Sequence, residues 1–312
     1  MIAIKPAERT VLAPRPGYRH RDAMGVYFRP RTVSQALEAL SERLLTPLAG
    51  GTDVYPAQAN LAAWNRAPNL DILDLSDLSE LRGLQETPEG WRLGALTTWT
   101  EAIEGPLPDW FEGLRMAGRT VGGRQIQNRG TLAGNICNAS PAADGVPPLL
   151  ALDCDVELAS MAGRRRLPLS DFLLGNRSTA RRPDELLVAL WIPRPRRAAR
   201  STFLKLGARR YLVISIVMVA ATLEVEAGEV AAARLAVGSC SAVARRLPDL
   251  EAALRGRPCD ATLANAVDPG HLELLSPIDD VRGSADYRRD TAATLVRRAL
   301  LQLSDGASEA AA

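Results

Sequence analysis

Apolar positions recur along this chain in two rhythms. Between Val33 and about Leu45, Ala36, Leu37, Leu40 and Leu44 fall on one face of a helix. Thr32 precedes it, with Gln35 three residues on, a capping-box pattern that satisfies the free amides of a first turn. Ala292, Leu295, Val296, Ala299, Leu300 and Leu303 predict a longer helix over 285–303. Shorter helices are predicted at about 103–117, 149–152, 249–255 and 260–267. The strand rhythm is different. TPLAGGTDVYP (46–56) reads as a short strand running into a Gly-Gly turn, and LDILDLS (70–76), WRLGALTTW (91–99), DVELAS (155–160) and ELLVALWIP (185–193) read as strands. FLKLG (203–207), VISIVMVAATLEVE (213–226) and AAARLAVGS (231–239) follow, the last two joined as a hairpin through Ala227-Gly228-Glu229.

The order of these elements predicts a mixed α/β N-terminal region and a smaller α+β C-terminal domain. IPRPRRAARS (192–201), broken by prolines and arginines, marks the boundary. The expected division is 24–196, with lobes of about 24–80 and 81–196, then 201–305 and a tail over 306–312. Residues 1–23 carry five Lys/Arg and three prolines and read as a mobile basic extension.

One stretch follows neither rhythm. RGTLAGNICNASPAADGVPPLLALD (129–153) is crowded with small residues until Leu149. Either the backbone passes very close to something there, or the segment is a loose linker. The twin prolines Pro147 and Pro148 suit the start of a helical turn.

Composition narrows the function classes. The 312 residues are 46% hydrophobic, enough for a sizeable core. With 38 basic and 36 acidic residues the net charge is +2, which gives no electrostatic case for nucleic acid. Aromatics, at 4%, are too few for base-stacking platforms. Cys137, Cys154, Cys240 and Cys259 are scattered, with no CxxC pair, and His20 and His271 are far apart, so no zinc or iron–sulfur site is signalled. LVISIVMVAATL (212–223) is too short to span a bilayer, and the expectation is a soluble cytoplasmic protein.

Candidate chemistry lies in two glycine-bearing segments, LAGGTD (48–53) and TLAGN (131–135). Glycine lets amides approach an anion closely and adopt positive φ. Thr52 and Thr131 add hydroxyls, and Asn135 an amide. Two such segments could hold the two phosphates of a dinucleotide; turns also use glycine for their own sake. The usual competitors, a G-x-G-x-x-G fingerprint, a P-loop and a G-x-S-x-G elbow, are absent.

LAGGTDVYP, QIQNRGTLAGNICNASPAADGVPPLLALD and DFLLGNRSTARRPDELLVALWIP, in this order, resemble the FAD-binding subunit of molybdenum hydroxylases, the flavoprotein of the xanthine dehydrogenase and carbon monoxide dehydrogenase family. FLKLGARRYLVISIVMVAA resembles the start of its second domain, and the likeness covers about residues 24–303. The resemblance implies a two-lobed, non-Rossmann FAD-binding domain followed by an α+β flavoprotein C-terminal domain. It implies non-covalent FAD. Ala49, Gly50, Gly51, Thr52 and Asp53 would wrap the pyrophosphate, and Thr131, Leu132, Ala133, Gly134 and Asn135 would close on it from the other lobe. Ala133 stands where the family pattern T-x-G-G-N has its first glycine. Asp144 would bond the ribityl or adenosine part, with Ser140, Asn138 and Lys205 as further candidates and Tyr211 as a possible cover of one flavin face. Cys137 reads as a small buried hydrophobe, and the basic cluster at 181–182 as solvated surface. No catalytic residue is expected on this chain. The partners implied are a large molybdopterin-binding subunit and a small 2Fe-2S subunit, as a dimer of heterotrimers, with NAD or another electron acceptor. The alternative is a non-redox scaffold or maturation partner that keeps the fold.

Overall fold

The computed structural model describes residues 25–64, 70–209 and 212–309. The predicted N-terminal extension, Arg210 and Tyr211 lie outside the described residues. The first layer holds β1 (Tyr27–Phe28), α1 (Val33–Glu42), β2 (Thr46–Leu48), α2 (Val54–Ala63) and β3 (Ile72–Asp74). The three strands form a parallel sheet in the order β1-β3-β2. Thr32 caps α1, its hydroxyl accepting from the Gln35 amide at 3.2 Å, and Val33, Ala36, Leu37 and Leu40 face the core. The helix ends before the predicted Leu45. Leu45 instead turns inward ahead of β2, while Leu44 is exposed.

The second lobe is built on β4 (Leu84–Thr87), β5 (Gly90–Gly94), α3 (Trp99–Glu104), α4 (Glu112–Thr120), α5 (Arg124–Gln127), α6 (Leu132–Asn138) and α7 (Val146–Ala151). Then come β6 (Asp155–Ser160), β7 (Gly163–Pro168), α8 (Leu169–Phe172), β8 (Leu173–Gly175), β9 (Ser178–Thr179) and β10 (Leu186–Pro193). The main sheet runs β4-β5-β10-β6-β7, antiparallel throughout. Two predictions need correction. The strand expected over 91–99 stops at Gly94, because Thr98 and Glu101 form a capping box that starts α3. The single helix expected over 103–117 is split at Gly105-Pro106-Leu107-Pro108, where prolines cannot continue a helix.

The C-terminal part comprises β11 (Ala198–Leu206), β12 (Val217–Glu226), β13 (Glu229–Gly238), β14 (Arg245–Arg246), α9 (Pro248–Leu254) and α10 (Ala285–Glu309). The segment at 260–267, predicted as α-helix, is a tighter 3-10 turn over Ala261–Ala266. α10 continues past the predicted end at Leu303, so part of the expected tail is helical. The four strands form an antiparallel sheet in sequence order. β12 explains its own apolar run. Val217, Val219, Ala221 and Leu223 pack with Val296 and Leu300 of α10, while Met218 and Ala220 pack with Ala117 of α4 and Ala151 of α7. A strand buried on both faces has no polar alternation to display.

Ion pairs reinforce this junction. Arg246 bonds Asp153, just beyond α7, at 2.7 Å and Glu251 of α9 at 2.5 Å, and Arg234 joins Asp153 to Glu224. Arg288, 1% exposed, donates to the carbonyls of Ile216 and Ser239 and pairs with Asp280 at 2.5 Å. Hydrogen bonds from Arg282, joined by the charge of Arg288, hold the Asp280 carboxyl down at about 2.

An unfolded aspartate titrates near ~4, so the Asp280 pairs contribute stability above about pH 4 and lose it as pH falls from there toward 2. Asp280→Asn should therefore lower the melting temperature by about 2–4 °C at neutral pH. The gap to the parent should narrow as pH drops below about 4. A gap independent of pH in thermal melts would show that Asp280 acts through packing alone.

Candidate functional site

A cavity of about 450 Å³ lies where the two N-terminal lobes meet. The first lobe contributes Ala49 to Val54, and the second contributes Gly130, Thr131, Ala133, Gly134 and Asn135. The lobes touch through bare backbone. A methyl on Gly50 would lie 1.8 Å from the Arg129 carbonyl oxygen and 3.0 Å from the Gly130 Cα, so any larger residue forces the walls apart. Gly51 has φ of 75°, and its added Cβ would meet the Tyr55 ring at 2.6 Å. Among the described residues, no partner takes the amides of Gly50, Gly51, Thr52 or Asp53. Gly50, Gly51 and Thr52 are half-buried and Asp53 is exposed, and all four stand beside an open space, which suits an anionic group.

The second segment is a helix start, where the sequence suggested a loop. Thr131 is the N-cap of α6, and its hydroxyl accepts from the Gly134 amide at 3.0 Å. Such a cap contributes about 1 kcal/mol. An added Cβ on Gly134 would stand 2.8 Å from that hydroxyl. Ala133 sits in the helix with its methyl buried in the core, so its backbone has no need of glycine. Alanine is the better helix former by about 1 kcal/mol. The small-residue stretch beyond it is also tightly used. The Asn135 side-chain oxygen accepts from the Gly145 amide at 3.1 Å, and a methyl on Gly145 would meet Trp99 at 2.8 Å. This is close approach, not a linker.

The remaining sequence candidates divide. Asp53, the N-cap of α2, lines the cavity and accepts from the Asn138 side chain across it at 2.8 Å. Leu132 is in the core, and the Ser140 hydroxyl takes the Ala142 amide; neither lines the cavity. Asp144 and Lys205 are paired with each other at 2.6 Å, both about nine-tenths buried, and Ser215 donates to Asp144 at 2.6 Å. Burial pushes the Asp144 carboxyl up, and Lys205 opposes that rise. In this structure the pair joins the C-terminal sheet to the second lobe outside the cavity lining.

Several lining residues were not singled out from sequence. Trp99, Val121 and Ile126 supply apolar wall, and helix α2 was read as part of a strand and turn. Arg181, expected on the solvated surface, also lines the cavity, and it donates to its own turn at the Glu185 carbonyl, 2.7 Å away. Cys137, expected as a small buried hydrophobe, is exposed at the cavity wall. The Thr98-x-x-Glu101 capping box signals that Trp99 opens a helix, while its place beside the site follows from the Thr98–Thr131 bridge, which no local pattern encodes.

The FAD binding domain in molybdopterin dehydrogenase matches residues 20–195 of this chain. The chain belongs to that family. The carbon monoxide dehydrogenase flavoprotein C-terminal domain matches residues 202–303. The nicotine 6-hydroxylase medium subunit of Paenarthrobacter nicotinovorans is 30% identical, over 88% of this chain and 96% of its own length. The putative xanthine dehydrogenase FAD-binding subunit XdhB of Escherichia coli K12 is also 30% identical, covering 88% of this chain and 94% of its own. The carbon monoxide dehydrogenase of Oligotropha carboxidovorans superposes with a TM-score of 0.83 at 26% identity, over 92% of this chain and 99% of that one. The protein is therefore an oxidoreductase subunit with an FAD-binding domain. The site fits that cofactor: among the described residues the amides of Gly50 to Asp53 have no partner, and they line a cavity that the start of α6 bounds from the other lobe.

Gly50→Ala should weaken FAD binding at least about tenfold, because a small displacement in a preorganised site costs affinity of that order. Ala133→Gly should instead lower the melting temperature by a few degrees, as about 1 kcal/mol of helix preference is lost, and leave FAD affinity within about twofold. Titration of the FAD-free variants checks both. Equal affinity in Gly50→Ala and the parent would contradict the close-approach account.

Proposed function

We propose that this chain is the FAD-carrying electron-transfer subunit of a heteromeric molybdenum hydroxylase of xanthine dehydrogenase type. It receives electrons from 2Fe-2S clusters on a small partner chain and delivers them to NAD or another external acceptor. A large molybdopterin-binding subunit hydroxylates the substrate, so no residue here acts as its general acid or base. The observation that carries this reading is the cavity between two backbone walls, with amides that have no partner among the described residues on one side and the N-terminus of α6 on the other. Bound FAD supplies the redox chemistry; the protein supplies position, electronics and access.

Within this reading, Ala49 to Asp53 hold the pyrophosphate from the first lobe, and Thr131, Ala133, Gly134 and Asn135 hold it from the second. Leu132 anchors the first turn of α6 in the core, and Ser140 holds the turn that follows the helix. Asp144 and Lys205 act from behind, fixing the C-terminal sheet against the FAD-binding lobes. The division at 24–196 and 201–305 belongs to the same proposal, as does a dimer of heterotrimers in the cytoplasm. No helix among the described residues is long and apolar enough to cross a membrane. Relatives named for nicotine, xanthine and carbon monoxide share this subunit type, which supports a substrate choice made on the partner chain. Ala133, the departure from the family's glycine pattern, is a buried helical alanine and lends the scaffold alternative no support.

Purified protein should be yellow, with stoichiometric FAD released on denaturation. Co-expressed with its partners, it should co-purify with them, and substrate should bleach the flavin absorbance of the complex under anaerobic conditions. Protein that takes up no added FAD, or a complex whose flavin colour substrate leaves unchanged, would overturn the assignment.

A further inference from the structure

Helix α2 has an unusual footing. None of its side chains from Val54 to Ala63 is buried, and the segment carries no charge. An isolated ten-residue helix is marginal in water, so its position depends on what ties down its ends. Its N-terminal end forms the cavity wall through Asp53 and Val54. Asp53 makes no capping bond within its own helix. Its carboxylate instead accepts from the Asn138 side chain at 2.8 Å, reaching across from the end of α6 in the other lobe. Among the described residues, this is the side-chain hydrogen bond that holds the start of α2 to the second lobe.

The two partners differ in how firmly they are held. Asn138 is a fixed post. It ends α6, whose Leu132, Ala133 and Ile136 are in the core, and the next residue, Ala139, turns the chain with φ of 45°. The Ala139 carbonyl takes the Arg177 amide at 2.9 Å, and the Arg177 guanidinium reaches the Asn138 carbonyl at 3.4 Å. Asp53 stands on the helix without a buried face. A strap tied at the rim to a rigid post is the geometry of a clasp.

We propose that Asn138 is a positioning residue that clasps the start of α2 at the rim of the cavity, so that opening the Asn138–Asp53 bond governs both admission and release of the dinucleotide. The proposal rests on the reading of this cavity as the FAD site. It makes a kinetic statement that a plain ligand contact does not. A residue that merely touches FAD slows release and leaves association unchanged. A clasp slows both, because the strap must lift in either direction.

The test is stopped-flow mixing of the full FAD-free chain with FAD, read by quenching of flavin fluorescence, together with release into excess competitor. Asn138→Ala should raise the association and dissociation rates together, each about three- to tenfold, the range that one hydrogen bond supplies. Asn138→Asp, which keeps the side-chain shape and sets two carboxylates against each other, should do the same. The exchanged pair Asp53→Asn with Asn138→Asp restores the bond with donor and acceptor reversed and should bring both rates back toward the parent. A rise in dissociation alone, unchanged rates, or failure of the exchanged pair to restore them would overturn the clasp while leaving the FAD assignment standing. A parent chain that binds no FAD would overturn both.

Discussion

The site depends on one close approach of backbone to backbone. Gly50 lies against the carbonyl of Arg129 so tightly that a single methyl would intrude to 1.8 Å. That contact sets the spacing between two lobes whose sheets are otherwise separate, one parallel and one antiparallel. Among the described residues, the amides of Gly50 to Asp53 have no protein partner, and these residues line a cavity. An unpaired, half-buried amide is costly to a folded protein, so the arrangement makes physical sense when an anion completes it.

The rest of the structure holds that contact in place. Thr131 starts α6 directly after the Arg129–Gly130 wall, and Trp99 fills the space behind it against Gly145. Asn135 ties α6 to Gly145, at the head of α7. α7 then packs on the C-terminal sheet through Ala151, Met218 and Ala220. Asp153, at the end of α7, is gripped by Arg234 and Arg246, and Asp144 by Lys205. The buried Lys205–Asp144 pair is not in itself a source of much stability, because desolvation offsets the attraction. Removing one member, however, would strand a buried charge, so the pair fixes the relation between sheet and lobe.

Much of this was legible in the sequence, for identifiable reasons. Helices with one apolar face, α1 and α10, and strands with flanking turns, β6 and β10, were placed within a few residues because their periodicity is strong. The strand expected over 213–226 begins only at Val217: Leu212 and Ile214 are exposed, and the two-sided burial of Val217 to Leu223 between α10 and the α4–α7 layer accounts for the absence of alternation there. α2 and α6 were missed. α2 buries no face and therefore shows no amphipathic signal. α6 is short, and its glycine, alanine and asparagine carry too little hydrophobic contrast to reveal a period. The motif LAGGTD pointed to the cavity wall because the requirement there is for backbone, which glycine reports directly. Asp144 and Lys205 come together across a sequence separation of 61 residues, and no local pattern encodes such a pairing. Arg181 looked like one more surface arginine, since its place on the wall is set by the turn before β10.

Two backbone segments from different lobes are proposed to receive the cofactor's phosphates: Gly50 to Asp53 with amides that have no partner among the described residues, and the capped first turn of α6 with its helix end. Amide hydrogen exchange, with and without FAD, tests this segment by segment. The account predicts that FAD slows exchange at Gly50 to Asp53 and at Ala133 to Asn135, while the strand amides of β12 and β13 exchange alike in both states. Unchanged exchange at Gly50 to Asp53 in protein shown to hold FAD would contradict it.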